Sequence, residues 1–328
     1  MRRTLVLGGA GFIGVHLARR LAQEPGARLT LVDDLSRGRR DDELTSLAAL
    51  PGVRFLEADL TDPAAVARLP RDVDHVYLLA AVVGVRNVAS GPARVVRVNA
   101  LATLHVLDWL AAAPAPPALF FASTSEVYAG GVAAGAVAVP TPEEVPLTIE
   151  DLRNPRFAYA ASKLLGETAV RHYGAAHAIP WVTGRFHNVY GPRMGADHVI
   201  PELALRALDG EDPFAVYGPE QRRAFCHVAD AVEAMVRLME SDAARGQTVN
   251  IGNDAEETRI EDLAALVLRT VGHRPRVLPR PAPPGSVARR CPDLTRLRAL
   301  TGFAPKVPLE AGVRETVDWY RGRRGAGR

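Results

Sequence analysis

Tyr159 and Lys163 stand four residues apart, so a helix would set a phenol and an ammonium on one face. The chain has only two lysines, Lys163 and Lys306, against 38 arginines, which makes a lysine at that offset a feature to explain. Free tyrosine has a pKa of ~10 and is a poor base at neutral pH. A nearby ammonium favours the phenolate, which could then take a proton from a carbinol while a hydride leaves to a neighbouring acceptor. A second polar group, Ser123-Thr124-Ser125-Glu126-Val127-Tyr128, directly follows the apolar run Leu119–Ala122. Hydroxyls at the C-terminal end of a core strand sit where open α/β sheets bind ligands. Thr124 could hydrogen-bond the reacting oxygen, and Glu126 could serve as general acid or base. The plain alternatives are a surface Tyr–Lys pair and hydroxyls that end a strand by bonding its backbone.

These residues need a hydride acceptor and a sheet to hold it. Gly8-Gly9-Ala10-Gly11-Phe12-Ile13-Gly14 lies between an expected strand, Thr4–Leu7, and an expected helix, Gly14–Gln23. Glycine permits a tight turn and a close approach of backbone to a pyrophosphate, and the helix start offers free N–H groups. An acidic pair, Asp33-Asp34, ends the second expected strand about 20 residues past the glycines, as a dinucleotide site requires. A carboxylate at Asp33 can bond the adenosine ribose hydroxyls and would repel a 2′-phosphate, so NAD is favoured over NADP. Arg37, Arg39 and Arg40 follow, and read either as a solvated basic loop or as partners for a phosphate.

Further strands are expected at Arg28–Val32, Arg54–Glu57, His75–Leu79, Ala118–Ala122 and Trp181–Arg185, alternating with helices at Pro63–Leu69, Val95–Ala112 and Phe157–His172. Near-continuous apolar strands in such an alternation indicate a parallel sheet covered on both faces. The stretch from Ala129 to Pro155 is rich in Gly, Ala and Pro and reads mainly as loop. Helices are expected beyond it near Ile200–Leu208, Val228–Met239 and Ile260–Val271. The fold class is thus α/β: a Rossmann-type, doubly wound parallel sheet with a smaller C-terminal α+β lobe for substrate. The expected division is residues 1–187, carrying the Tyr/Lys helix, then 188–320, mainly the lobe, and a basic flexible tail at 321–328.

Composition narrows the rest. The chain has 328 residues, 48% hydrophobic and 23% charged, with a net charge of only +3, an ordinary globular profile. The basic residues are scattered and no nucleic-acid-binding motif is present, so nucleic acid is not an expected partner. No run of 18 apolar residues exists, so no membrane span is expected. Met1-Arg2-Arg3 before an apolar run has a superficial likeness to a signal peptide, but Gly8, Gly9, Gly11 and Gly14 break that run. The two cysteines, Cys226 and Cys291, show neither metal-type spacing nor a disulfide framework, which fits a reducing cytoplasm and no metal site.

Taken together, Gly8–Gly14, Asp33, Asp59, Leu79-Ala80-Ala81, Asn99, the segment Ser123–Tyr128 and Tyr159/Lys163 resemble extended short-chain dehydrogenases that modify nucleotide sugars. The similarity continues through Arg185–Arg193, Gln221–Phe225, Val249–Gly252 and Arg290–Asp293, nearly the whole chain. The resemblance implies NAD held by the N-terminal lobe and a catalytic set of Thr124, Tyr159 and Lys163. It assigns cofactor contacts to Gly8, Gly11, Phe12, Ile13, Gly14, Asp33, Asp34, Leu79, Ala80, Ala81, Ser123, Tyr159, Lys163 and Phe186. It matches Asp59 and Leu60 to an adenine contact, and Asn99 to a conformational and water-holding site. Asn188, Arg223 and Arg290 match positions that touch the pyrophosphate or sugar of the substrate, a role to which bidentate arginine is suited. It also implies a homodimer formed through the helices that carry the Tyr/Lys pair. The sequence departs from the family at Leu78, often His, at Ala129, where Gly is usual, and at Ala224, which replaces an Asp.

Oxidation at C4 of the sugar is the first step that such enzymes share. In a uronic acid, a C4 ketone makes the C6 carboxylate part of a β-keto acid, which loses carbon dioxide easily. Thr124-Ser125-Glu126 with Arg290 is similar to uronate decarboxylases, where the Glu and Arg serve that later stage. UDP-glucuronate decarboxylation is therefore the leading expectation. A 4-epimerase needs only Tyr, Lys and room for the ketosugar to rotate, and stands second. A 4,6-dehydratase usually carries Asp where Ser125 stands. A dinucleotide-binding sensor or scaffold without activity is the non-enzymatic alternative, against which the intact Thr124/Tyr159/Lys163 set speaks.

Overall fold

The computed structural model describes residues 2–283 and 286–325, with backbone alone for 85–87 and 325. The first six strands are β1 (Arg3–Leu7), β2 (Arg28–Asp33), β3 (Val53–Glu57), β4 (His75–Leu78), β5 (Ala118–Thr124) and β6 (Trp181–Phe186). Four later ones are β7 (Val189–Tyr190), β8 (Phe214–Tyr217), β9 (Arg222–Ala224) and β10 (Cys226–His227). The last are β11 (Gln247–Ile251), β12 (Glu257–Arg259), β13 (Val277–Arg280) and β14 (Arg289–Arg290). A seven-stranded sheet runs β11-β6-β5-β4-β1-β2-β3, and all its pairs are parallel. Strands β4 and β5 are buried along their whole length, as a sheet covered on both faces demands. The chain winds outward from β1 to β3 and then resumes on the other side of β1 with β4. The direction thus reverses between β1 and β4, and the crevice at their C-terminal ends is the ligand position of a doubly wound sheet.

The helices of the first half are α1 (Phe12–Leu21), α2 (Asp42–Ala48), α3 (Pro63–Ala67), α4 (Val85–Ser90), α5 (Pro92–Ala111), α6 (Ala129–Ala133) and α7 (Arg156–His177). Those of the second half are α8 (Val199–Leu208), α9 (Val228–Glu240), α10 (Ile260–Val271), α11 (Thr295–Thr301) and α12 (Leu309–Gly325). One face of the sheet packs on α1 and α9 through Val15, Ala18, Met235 and Leu238. The other packs on α5 and α7 through Val106, Leu110 and Val170. A third core, around Phe214, Phe225, Leu263 and Val313, joins α8, α10 and α12 in the C-terminal lobe. Among the described residues, three small sheets, β7 with β10, β8 with β13 and β12-β9-β14, lie outside the seven-stranded one.

The expected strands and helices of the first half form where the pattern placed them, with ends shifted by a few residues. Three features differ. The sheet takes its seventh strand, β11, and a covering helix, α9, from beyond residue 187, so the chain returns to the first layer after entering the lobe. The stretch from Ala129 opens with the short helix α6, after a 3-10 turn at Ser125–Tyr128, and only then becomes loop. The expected flexible tail is helical as far as Gly325, because Leu309, Val313, Val317 and Tyr320 give α12 a buried stripe. Arg323 there bonds Glu43 at 2.5 Å, and Arg324 pairs with Asp209. Residues 326–328 of that expected tail lie outside the described residues.

Candidate active site

At the switch point the structure is made of backbone. Gly8 has a φ of 90°, and its N–H and that of Gly9 both donate to Val32 O, at 2.8 and 3.0 Å. A Cβ on Gly8 would come within 2.7 Å of Ala80 N, and one on Gly14 within 2.2 Å of Gly8 O. Only glycine permits these approaches. Helix α1 starts with Gly11 as an N-cap that has no side-chain bond, so the first-turn N–H groups of Phe12 and Ile13 find no acceptor within the helix. They are free for an anion at the positive end of the helix dipole.

Asp33 turns inward at the end of β2, accepting from Ala10 N at 3.1 Å and Leu35 N at 2.9 Å. Burial pushes its pKa up and the two amides oppose this. Its neighbour Asp34 is exposed and instead holds Ser36 N and Oγ, at 2.9 and 2.7 Å. The expected acidic pair therefore splits into one site-facing carboxylate and one local turn. Asp59 is likewise exposed and accepts from Thr61 N at 2.8 Å, while Leu60 beside it is buried. Both lie just past β3, and Leu79, Ala80 and Ala81 just past β4, along the same edge of the sheet. Asn99, on α5, is buried. It accepts from Val82 N at 2.7 Å and donates to Ser162 Oγ at 3.1 Å, clamping the chain after β4 against α7. Phe186, at the end of β6, packs on Phe120 with ring centroids 6.2 Å apart. Of the three arginines after Asp33, Arg40 pairs with Glu57 at 3.0 Å, and Arg37 carries its charge toward Tyr159.

Tyr159 and Lys163 share one face of α7, and Thr124 ends β5 opposite them. The Thr124 hydroxyl, which accepts from Glu126 N at 3.3 Å, lies close enough to the Tyr159 phenol to act on it. Burial and the Glu126 charge push the phenol up, and Thr124 and Arg37 pull it down. Lys163 is buried. Its Nζ donates to Ala122 O at 2.7 Å and lies 5.0 Å from the centre of the Phe121 ring. Burial lowers its pKa to about 8, against the pull of Glu167. In this structure Lys163 is held by the end of β5, and the groups that act on Tyr159 are Glu126, Thr124 and Arg37.

Beyond Thr124 the site is charged. Glu126 Oε1 accepts from Arg290 Nη1 at 2.8 Å, and its Oε2 accepts from Arg156 Nη2 at 3.1 Å. Burial opposes ionisation of this carboxyl, but Arg290 and Arg156 outweigh it and bring the pKa down to about 2. Glu126 is thus a carboxylate at neutral pH and no general acid. Strands β9 and β14 are parallel and place Arg223 directly beside Arg290. Burial and then Arg290 lower the Arg223 pKa to about 10. The Arg223 guanidinium donates to Val287 O at 2.8 Å and Gln221 Oε1 at 3.0 Å. Asn188, with a φ of 41°, donates to Ala224 O at 3.0 Å on the same strand. Two guanidiniums therefore bond one carboxylate with Arg223 beside them, and among the described residues Arg290 Nη2 is buried without a partner.

Sequence reasoning did not single out Arg156, Glu167 or Arg193. Glu167 accepts from Ser123 Oγ at 2.5 Å and from the buried Arg185 at 2.6 Å. Its position four residues past Lys163 on α7 was the available signal. Arg156 had a similar one, three residues before Tyr159.

The fold and site define a dinucleotide-dependent redox scaffold with an anion-binding lobe. Residues 4–252 match the NAD dependent epimerase/dehydratase family. A UDP-N-acetyl-alpha-D-glucosaminuronate decarboxylase of Bacillus cytotoxicus is 32% identical, over 98% of this chain and 98% of the relative. A dTDP-glucose 4,6-dehydratase of Streptomyces niveus is also 32% identical, over 98% of this chain and 94% of the relative. Among solved structures, Thermus thermophilus UDP-glucose 4-epimerase in complex with NAD superposes with a TM-score of 0.83, at 31% identity over 98% and 99% of the two chains. The chain belongs to the NAD dependent epimerase/dehydratase family and is an NAD-dependent enzyme. The glycine cradle at Gly8 and Gly14, the free N–H groups of α1 and the inward Asp33 fit that cofactor. Among the described residues, no helix is long and apolar enough to cross a membrane.

Proposed function

We propose that this enzyme decarboxylates a nucleotide-linked uronic acid, of the UDP-glucuronate type, through transient oxidation at C4. The observation that carries the reading is the ionised Glu126 held between Arg156 and Arg290, next to the Thr124–Tyr159 hydroxyl pair. The glycine turn, the open start of α1 and Asp33 would hold NAD, which would supply the hydride acceptor for C4 and the hydride for its later reduction. As the phenolate, which the Lys163 ammonium and a bound positive nicotinamide would favour against burial, Tyr159 Oη would take the proton of the C4 hydroxyl, with Thr124 holding that oxygen in line. Lys163, fixed on Ala122 O and sharing a helix face with Tyr159, would donate to the cofactor ribose. Arg290 can place its unpartnered Nη2 on the substrate carboxylate or on the oxygen that gains charge as carbon dioxide leaves. The carbon left at C5 takes its proton from a water of the solvent, which the ionised Glu126 can orient as a hydrogen-bond acceptor. Tyr159 then returns its proton to the C4 oxygen. Arg223, with Asn188, would hold the diphosphate.

One observation favours a 4-epimerase as the second reading: both Glu126 oxygens are occupied by arginines, as they would be if the carboxylate only shaped the pocket. Incubating the purified enzyme and NAD with a panel of UDP-sugars separates the readings. Carbon dioxide release from a uronate supports decarboxylation, and inversion without change of mass selects epimerisation. We also infer a cytoplasmic homodimer formed through α5 and α7. Val96 and Leu165, apolar side chains on these two helices, are 42% and 45% exposed, and both cysteines are free thiols.

A further inference from the structure

One short segment joins the two ends of the crevice. Asn188 and Arg193 bracket it, and both have positive φ, 41° and 69°. Asn188 is tied to the strand that carries Arg223. Arg193 reaches in the other direction. Its Nη1 donates to Ala10 O at 2.7 Å and to Gly11 O at 3.1 Å. Its Nη2 donates to Arg39 O at 3.1 Å, and its Nε to the Asp41 carboxylate at 2.9 Å. The side chain is only 6% exposed. All four acceptors belong to the dinucleotide half of the molecule, whereas Arg193 comes from the chain that has already crossed into the lobe.

We propose that Arg193 is a positioning residue for the dinucleotide, and that through it the grip on the pyrophosphate depends on the lobe that receives the nucleotide sugar. The argument rests on peptide geometry. In a trans peptide the carbonyl of one residue and the N–H of the next point in opposite directions. A guanidinium that holds Gly11 O on one side therefore presents Phe12 N–H on the other, at the open start of α1. Ala10 O fixes the preceding peptide in the same way. Gly11 O also accepts from Val15 N at 3.1 Å, so a single carbonyl joins the helix, the turn and Arg193. The bonds to Arg39 O and Asp41 close the segment that follows Asp33. There Gly38 packs so tightly that a Cβ would lie 2.7 Å from Asp33 Oδ1. Asp41 also caps α2 by accepting from Leu44 N at 3.0 Å. Its charge is thus anchored independently of Arg193. The inference rests on NAD dependence and is indifferent to which sugar reaction follows.

The test compares Arg193→Lys and Asp41→Asn with the parent enzyme stripped of NAD. Binding of NAD, ADP-ribose and adenosine is measured by calorimetry, with and without UDP, beside thermal unfolding of the ligand-free proteins. In Arg193→Lys, NAD and ADP-ribose should weaken by about tenfold or more while adenosine changes less than about twofold. UDP should tighten NAD in the parent and lose that effect in the variant, since linkage is reciprocal. A clasp that is only structural would lower the unfolding temperature and leave the folded fraction with unchanged affinities. That result, or equal losses for ADP-ribose and adenosine, overturns the proposal. If Arg193→Lys does not fold, Asp41→Asn serves. It keeps the cap and an acceptor for Nε but removes the charge, and should show the same ranking with smaller losses. Unchanged ADP-ribose binding there also overturns the proposal.

Discussion

The dinucleotide end of the crevice is built from backbone, and the sugar end from charged side chains. At the first, Gly8 and Gly14 bring main chain against main chain, and Asp33 turns its carboxylate inward. At the second, Arg156, Arg223 and Arg290 gather around Glu126 from three separate parts of the sequence. The difference has a physical reason. Every dinucleotide offers the same pyrophosphate, which close amide groups and a helix dipole suit without any particular side chain. Substrates differ in their substituents, and charge placement discriminates among those.

The largest expected effect lies where the two ends meet. Tyr159→Phe should lower kcat by about 10³-fold, the middle of the range a positioned proton acceptor contributes, with NAD binding retained. Turnover close to the parent value would remove the phenol from the account. Gly14→Ala should act on the dinucleotide end alone. Its Cβ would meet Gly8 O at 2.2 Å, so the turn must open, costing about 2–4 kcal/mol of stability and weakening NAD, as denaturant melts and calorimetry would show. Arg290→Met should do the converse: NAD affinity unchanged, and turnover of a uronate down by about 10²-fold. If Arg290→Met weakened NAD as much as Gly14→Ala did, the division of labour between the ends would be wrong.

The smallest effect is a pH dependence of stability. Lys163 titrates at about 8 in the folded protein, below the 10.5 of a free lysine. The unfolded chain therefore holds more protons between these values, and stability rises with pH across that window. The gain is at most about 3 kcal/mol. Lys163→Met, matched in length, should lack this rise in urea melts taken from pH 7 to 10.5. An identical pH profile in the two proteins would place the depression elsewhere.

What could be read from the sequence follows the same division. The glycine turn, Asp33, Thr124, Tyr159 and Lys163 are close to one another along the chain or sit at the ends of strands with plain apolar patterns, and the structure sets them around one crevice. The charged end was only partly legible. Arg223 and Arg290 become neighbours through the pairing of two very short strands, β9 and β14, which no local pattern announces. Arg156 and Arg193 gain meaning only from the carboxylates and carbonyls that folding brings to them. Composition also misled at the C-terminus. Arg and Gly there suggest a solvated tail, but the stripe Leu309, Val313, Val317 and Tyr320 fits the lobe core, and Glu43 receives Trp319 Nε1 at 2.8 Å as well as Arg323. Asp34 shows the reverse case, a motif residue whose local turn with Ser36 takes it out of the site.

The account turns on the charged end accepting a uronate beside the Tyr159 phenol. The most direct measurement follows UDP-glucuronate labelled at its carboxyl carbon by NMR, with enzyme and NAD, for the parent and Arg290→Met. The parent should move the label into carbon dioxide and bicarbonate in step with formation of a pentose nucleotide, and Arg290→Met should do so far more slowly. Label that stays on the sugar while C4 inverts, equally in both proteins, would contradict it.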